Sequence, residues 1–202
     1  MIAIVDYGVG NLYSLESSLR AIGADVCITA DKTQIQNAQK ILLPGVGAFG
    51  DAAQKLRQTG LDRLLIDEAN KGKPLMGICL GMQLLFEEGF EYGVHRGLGL
   101  IPGQVRPIAD VVPQELKIPH MGWNSLQFTR QSPLFSYIKE GDYVYFVHSF
   151  YAVGCDNATI ATADYGAPLT AAVQLDNVMG CQFHPEKSGD TGLRLLKAFG
   201  EL

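Results

Sequence analysis

The chain has 202 residues, 47% hydrophobic and 18% charged, with a formal net charge of −5. That length suits one compact domain over residues 1–202, burying roughly 70% of the surface an unfolded chain would expose. The acidic balance leaves no basic footprint for nucleic acid or an anionic membrane surface, and no apolar run approaches the roughly 20 residues needed to span a bilayer. The start, Met1-Ile2-Ala3-Ile4-Val5-Asp6, has no positive n-region and meets an acid within six residues, so no signal peptide is expected. Cys27, Cys79, Cys155 and Cys181 are scattered without a CxxC pair. This argues against a disulfide framework or a zinc site and for a reducing cytoplasm.

Ile2–Val5 reads as a buried strand, and the loop Asp6-Tyr7-Gly8-Val9-Gly10-Asn11 opens a helix through Leu15, Leu19 and Ile22 that Gly23 stops. Val26–Thr29 is a second strand, followed by a short helix capped by Asp31. Lys40–Leu43 is a third, ending in Pro44-Gly45-Val46-Gly47; helix follows from Asp51 to Lys71, interrupted near Gly60. Lys73-Pro74-Leu75-Met76 leads a fourth strand into Gly77-Ile78-Cys79-Leu80-Gly81, and Met82–Glu88 leaves with helical spacing. Strands alternating with helices predict a doubly wound, mostly parallel α/β sheet.

After about Gly93 the texture changes. Val105–Ile108, Leu126–Phe128, Tyr143–Val147, Thr159–Thr162 and Thr170–Leu175 read as strands joined by turns. A last strand, Val178–Phe183, precedes an amphipathic helix from about Ser188 to Phe199. This half is expected to form an antiparallel extension of the parallel core, with no linker between the two.

Among the cysteines, only Cys79 sits between glycines at a strand-to-helix switch, where a strained elbow projects a side chain toward the N–H groups of the next helix. Those donors and the helix dipole favour a thiolate, the nucleophilic form. Cys27 and Cys181 lie in strand-like runs and read as small hydrophobes, and Cys155 sits in a polar turn. At the end of the last strand, Pro185 biases His184 toward an extended conformation. Residues two apart then share a side, so His184 and Glu186 can pair as base and orienting carboxylate. The plain alternative is a strand end stopped by proline, with His184 in an ordinary polar contact. Pro44–Gly50 offers glycine-rich backbone whose N–H groups can turn toward negative charge. Gly8-Val9-Gly10 does not continue as a dinucleotide fingerprint, because Tyr13 stands at the third glycine. His95, His120 and His148 show no metal-ligand spacing, so neither metal nor cofactor is expected.

With the elbow, glycine turn and His184-Pro185-Glu186 in this order, the chain resembles the class I (triad) glutamine amidotransferases over essentially its whole length, which implies their flavodoxin-like architecture. Asp6–Leu12, Pro44–Phe49, Lys117-Ile118-Pro119-His120-Met121-Gly122-Trp123-Asn124 and Tyr145–Ser149 make it most similar to the glutaminase subunits of imidazole glycerol phosphate synthases. A pyridoxal phosphate synthase glutaminase would show a Gly-Gly-Glu-Ser type turn instead. The resemblance implies Cys79 attacking the glutamine side-chain amide, with His184 as base and Glu186 orienting it. It implies an oxyanion hole from the backbone of Val46, Gly47 and Leu80, with the glycine-turn peptides as the switch, and substrate contacts at Gln83, Ser149 and Phe150. Phe150 stands where many relatives carry tyrosine, which matters little if only its backbone touches substrate. Asn11, Trp123, Tyr145 and Lys187 are implied to face a (β/α)8-barrel cyclase subunit that receives the ammonia in a heterodimer. Without the resemblance, Trp123 reads as a core aromatic and Lys187 as a solvated side chain. Three other readings stay open on the residues: a glutaminase serving a different synthase, a Cys-His hydrolase or peptidase, and a non-catalytic binding subunit.

Overall fold

A computed structural model describes residues 1–202. Its first half follows the expected alternation: β1 (Ile2–Val5), α1 (Leu12–Ala21), β2 (Val26–Thr29), α2 (Lys32–Asn37), β3 (Lys40–Gly45), α3 (Phe49–Thr59), α4 (Leu61–Asn70), β4 (Leu75–Cys79) and one turn of helix, α5 (Leu80–Gln83). Local chemistry explains the boundaries. Asp31 accepts a hydrogen bond from the Gln34 N–H at 2.8 Å, capping α2. Gly60, at φ +67°, ends α3 in a left-handed cap before α4 begins.

The second half contains β5 (Phe86–Gly89), β6 (His95–Arg96), β7 (Ile101–Pro107), β8 (His120–Ser125), β9 (Gln127–Phe128), β10 (Tyr143–His148), β11 (Phe150–Val153), β12 (Thr159–Asp164), β13 (Pro168–Leu175), β14 (Val178–Cys181) and α6 (Gly189–Glu201). The main sheet has eight strands in the order β2-β1-β3-β4-β14-β13-β12-β9. Pairings from β2 to β14 are parallel, and those from β14 to β9 antiparallel. The fold is thus the expected α/β sheet with an antiparallel extension. Alternate residues along β1 and β3 divide between two cores. Ala3, Val5, Ile41 and Leu43 pack with α3 and α4, while Ile2, Ile4 and Leu42 pack with α1 and α6.

Several expectations need correction. The stretch after the elbow is not a helix to Glu88: α5 ends at Gln83, and Phe86–Gly89 forms β5. Leu84, Leu85 and Phe86 are all fully buried, so the segment has no single apolar helical stripe, and tertiary packing overrides the local period. The extension also takes only β9, β12 and β13. β8 and β10 form a separate two-stranded ribbon, and β11, β7, β5 and β6 a separate four-stranded sheet. The short strands β5, β6, β8 and β11 were not anticipated. His95 lies half-buried on β6 rather than in an exposed loop, and a Cβ on Gly50 would sit 2.7 Å from its ring. Cys155 is buried, with its thiol 3.5 Å from the Thr159 hydroxyl.

Three glycines hold the elbow together. A Cβ on Gly45 would lie 2.7 Å from the Gly81 nitrogen, and one on Gly77 2.6 Å from Met82 Cα. A Cβ on Gly81 would overlap the Leu43 carbonyl. Gly81→Ala is therefore expected to destabilise the fold by more than the roughly 1–3 kcal/mol of ordinary overpacking, because the clash is with backbone. Urea unfolding of the variant checks this.

Candidate active site

Cys79 ends β4 with φ +54° and ψ −114°, an uncommon backbone for a residue with a side chain. The β3–β4 register pairs Gly45 with Cys79. The turn that leaves β3 through Val46 and Gly47 (φ +93°) therefore stands beside the elbow. α5 is only four residues long, so the expected dipole support for a thiolate is small, although Leu80 presents a free N–H at its first position.

β14 ends at Cys181, and three residues on His184 adopts an extended backbone (φ −98°, ψ 100°), as the following proline favours. His184 and Glu186 meet, but not by strand alternation. Pro185–Lys187 is a turn of 3-10 helix, and this turn brings Glu186 Oε1 to 2.9 Å from His184 Nδ1. The segment is anchored to β10: His184 N–H donates to the Tyr145 carbonyl at 2.9 Å, and the Ser188 hydroxyl donates to the His184 carbonyl at 2.6 Å. Burial disfavours the charged form of His184, but the Cys79 sulfur and the Glu186 carboxylate together outweigh it and raise its pKa to about 9. His184 is therefore an imidazolium at neutral pH. The second oxygen of Glu186 is buried without a hydrogen-bond partner.

A cavity of about 310 Å³ gathers most of the expected residues: Val46, Gly47, Cys79, Leu80, Gln83, Ser149, Phe150 and His184 all line it. Its volume lies at the small end of ligand sites, which run from roughly 300 to 1,000 Å³. A larger groove of about 680 Å³ along Phe128–Ser136 offers Arg130 as its only charge and no cysteine, histidine or carboxylate. We therefore place the chemistry in the smaller cavity.

Three of its neighbours were missed from sequence. Glu91 is the only carboxylate in the lining, and it accepts a hydrogen bond from the Phe49 N–H at 2.7 Å. His148 also lines the cavity, and Gln182 lies fully buried with its side-chain amide 3.6 Å from the Cys79 sulfur. His148 lies inside the Tyr145–Ser149 motif but is given no role there, and Glu91 and Gln182 carry no local motif. The one available hint was that Gln182 stands two residues before His184.

Of the residues expected at a partner face, Trp123 and Tyr145 lie on the ribbon and Lys187 stands beside Tyr145. Trp123 pairs across from Tyr145 with ring centroids 6.1 Å apart, and Lys187 Nζ lies 6.0 Å from the Tyr145 ring centroid. Trp123 is 55% exposed, so it is not a core aromatic. Asn11 immediately precedes α1, which packs against the Pro185–Lys187 turn.

A strand-elbow cysteine facing a carboxylate-paired histidine across a small cavity, on this sheet, defines the class of the triad amidotransferases. The family model described as "Glutamine amidotransferase class-I" matches residues 3–200. The chain is 50% identical over 203 residues to the imidazole glycerol phosphate synthase subunit HisH of Caldanaerobacter subterraneus subsp. tengcongensis, covering 100% of this chain and 98% of that one. It is 48% identical over 204 residues to the HisH subunit of Oceanobacillus iheyensis, covering 100% and 99%. Among solved structures, a glutamine amidotransferase matches with a TM-score of 0.77 at 16% identity over 100% of both chains. PurLQS from Thermotoga maritima matches at 0.76 with 21% identity, over 98% of this chain and 96% of that one. The chain belongs to the class I glutamine amidotransferases and, within them, to the HisH family; it is an enzyme.

The pH dependence of glutamine hydrolysis follows from His184. Activity is expected to fall on the alkaline side near pH 9, where the His184 imidazolium loses its proton. The Glu186 carboxylate favours the protonated ring, so Glu186→Gln lowers the His184 pKa. A rate profile of that variant is expected to show its alkaline limb at lower pH than the parent.

Proposed function

We propose that residues 1–202 act as one glutaminase domain in a reducing cytoplasm, hydrolysing glutamine to glutamate and ammonia through a thioester on Cys79. One observation carries the reading: the only cysteine on a strained elbow shares a cavity with a histidine whose other face is held by a buried carboxylate. The sulfur attacks the side-chain amide carbon, and the backbone N–H groups of Leu80 and of the Val46–Gly47 turn receive the developing oxyanion. A donor of this kind is worth roughly 3–4 kcal/mol of barrier. The C–N bond breaks as His184 passes its proton to the departing ammonia. Water, deprotonated by His184, then attacks the thioester, the C–S bond breaks, and glutamate leaves with the thiolate restored.

The amino-acid end of the substrate has matching partners. Its ammonium finds Glu91, the single carboxylate in the lining, and Gln83 Oε1, to which no protein group donates. Ser149 and Phe150 supply backbone on the opposite wall. No metal or other cofactor takes part in this scheme.

The ammonia is passed to a (β/α)8-barrel cyclase subunit in a heterodimer. That subunit makes imidazole glycerol phosphate and aminoimidazole carboxamide ribotide for histidine biosynthesis. The relatives' names support this destination, as does an outward face on which Met121, Trp123 and Tyr143 are each more than half exposed. Asn11, Tyr145 and Lys187 border that face.

Glutamate release from glutamine, measured with the chain alone and then with the cyclase and its ribonucleotide ligand, tests the scheme. Stimulation by the partner is expected, and Cys79→Ala is expected to reduce release by at least about a thousandfold in both conditions. Hydrolysis indifferent to the cyclase would reject the partner while keeping the glutaminase. Glu91→Gln is expected to raise KM about tenfold with kcat nearly unchanged, because it removes a charge-assisted contact to a group remote from the reacting carbon.

A further inference from the structure

The backbone carbonyl of Phe150 accepts two hydrogen bonds, from Gln83 Nε2 at 3.0 Å and from His148 Nδ1 at 2.8 Å. A carbonyl can only accept, so it sets the polarity of everything bonded to it in both directions. On one side, the nitrogen of Gln83 also meets the Gln182 side chain at 3.0 Å, and the atom it meets must be an acceptor, Oε1. Gln182 therefore turns its –NH2 toward the Cys79 sulfur, 3.6 Å away, which is hydrogen-bond range for sulfur.

On the other side, His148 must carry its proton on Nδ1. Burial keeps the ring neutral, with its pKa pushed down to about 4, so Nε2 is a bare acceptor. His120 Nδ1, 3.0 Å away, then has to donate, leaving His120 Nε2 to accept from the Asn124 amide at 3.3 Å. The far end agrees independently. The Ser125 N–H donates to Asn124 Oδ1 at 2.8 Å, so only the Asn124 –NH2 can face His120. Every bond from Asn124 to Cys79 is thus directional and mutually consistent.

We propose that Gln182 is a further catalytic residue, its carboxamide N–H holding the Cys79 sulfur whenever that sulfur is anionic, and that His148 and His120 are positioning residues which hold in place, from the β8–β10 ribbon, the Phe150 carbonyl that orients Gln83 and through it Gln182. The proposal rests on Cys79 being the nucleophile. The bond has a use at both ends of the thioester: it steadies the thiolate before attack and again when thiolate is the leaving group in deacylation. In the thioester itself the sulfur is a poor acceptor, so the contact is differential rather than uniform.

Two substitutions separate donor loss from loss of packing. Gln182→Met keeps the length of the side chain and removes both polar atoms. Gln182→Glu keeps the acceptor for Gln83 and removes the donor to sulfur. Full-length variants are assayed with the cyclase for kcat and KM, and alkylation of Cys79 by iodoacetamide is followed against pH by peptide mapping. In both variants kcat is expected to fall by about tenfold to a hundredfold with little change in KM, the range set by one hydrogen bond to a charged group. The alkylation profile is expected to move to higher pH. His120→Phe, which can keep the stacking against Phe146 and Tyr165 but cannot donate to His148, is expected to move the profile the same way by less. An unmoved profile and parental kcat in either folded Gln182 variant would overturn the proposal, and so would an unmoved profile in His120→Phe if neither Gln182 variant folds. Undiminished hydrolysis in Cys79→Ala would instead remove the underlying nucleophile reading, so the two failures are distinguishable.

Discussion

The structure depends on how closely three backbone segments approach at the end of β4. Gly45 on β3, Gly77 on β4 and Gly81 on α5 bring their main chains into contact where any side chain would intrude. That approach is what allows Cys79 to hold a positive φ at the sheet's carboxyl edge and to project into the cavity instead of the core. A non-glycine residue in such a conformation costs on the order of 1–3 kcal/mol. The surrounding core offsets it, since Leu42, Leu43, Leu75, Met76, Met82 and Leu84 are all fully buried around the elbow. The same contact also puts the Val46–Gly47 turn beside the sulfur, because the register that pairs Gly45 with Cys79 leaves the turn nowhere else to go. One packing constraint therefore sets the Cys79 elbow and the Val46–Gly47 backbone together.

His184 and His148 line the same cavity and titrate in opposite directions. Both are buried, and burial alone lowers each. Only His184 has a carboxylate against its ring and a sulfur before it, and these outweigh the burial and hold it protonated. His148 has a backbone carbonyl as its partner, too weak a counter-pole to restore the charge, and a second cation opposite would repel it. Two identical side chains are thus assigned a proton-carrying and a proton-holding part by their neighbours, the logic by which paired acids are split elsewhere. A charged His148 would repel the His184 imidazolium and lower its pKa, so its neutrality protects the charge on His184.

What the sequence revealed divides along a physical line. Features set by short-range chemistry were legible: the Asp31 cap, the Gly23 and Gly60 stops, the elbow glycines, the proline-biased His184. The position of Glu186 relative to His184 was also legible, although the reason was wrong, since a 3-10 turn achieves what a strand was expected to. Features set by pairing across distance were not. His120 and His148 are 28 residues apart and become neighbours only through the β8–β10 register. Gln182 and Cys79 are 103 apart and meet because β14 docks beside β4. Glu91 reaches the cavity from the loop after β5, a strand that sequence periodicity had assigned to a helix. Each miss traces to a tertiary contact with no local echo.

The β8–β10 ribbon deserves its separation from the main sheet on these grounds. Period-two alternation sends Met121, Trp123, Tyr143 and Tyr145 to one side and His120, Asn124, Phe146 and His148 to the other. The outer side is aromatic and solvent-facing, and the inner side is the polar chain that ends at the catalytic cavity. Had these strands joined the eight-stranded sheet, helices or loops would have covered the outer side, as they cover both faces of the parallel core. Both sides of β10 contribute to the cavity wall, His148 from the inner side and Val147 from the other. Trp123 and His120 thus stand three residues apart on one strand, the first in solvent and the second bonded to a residue of the cavity wall.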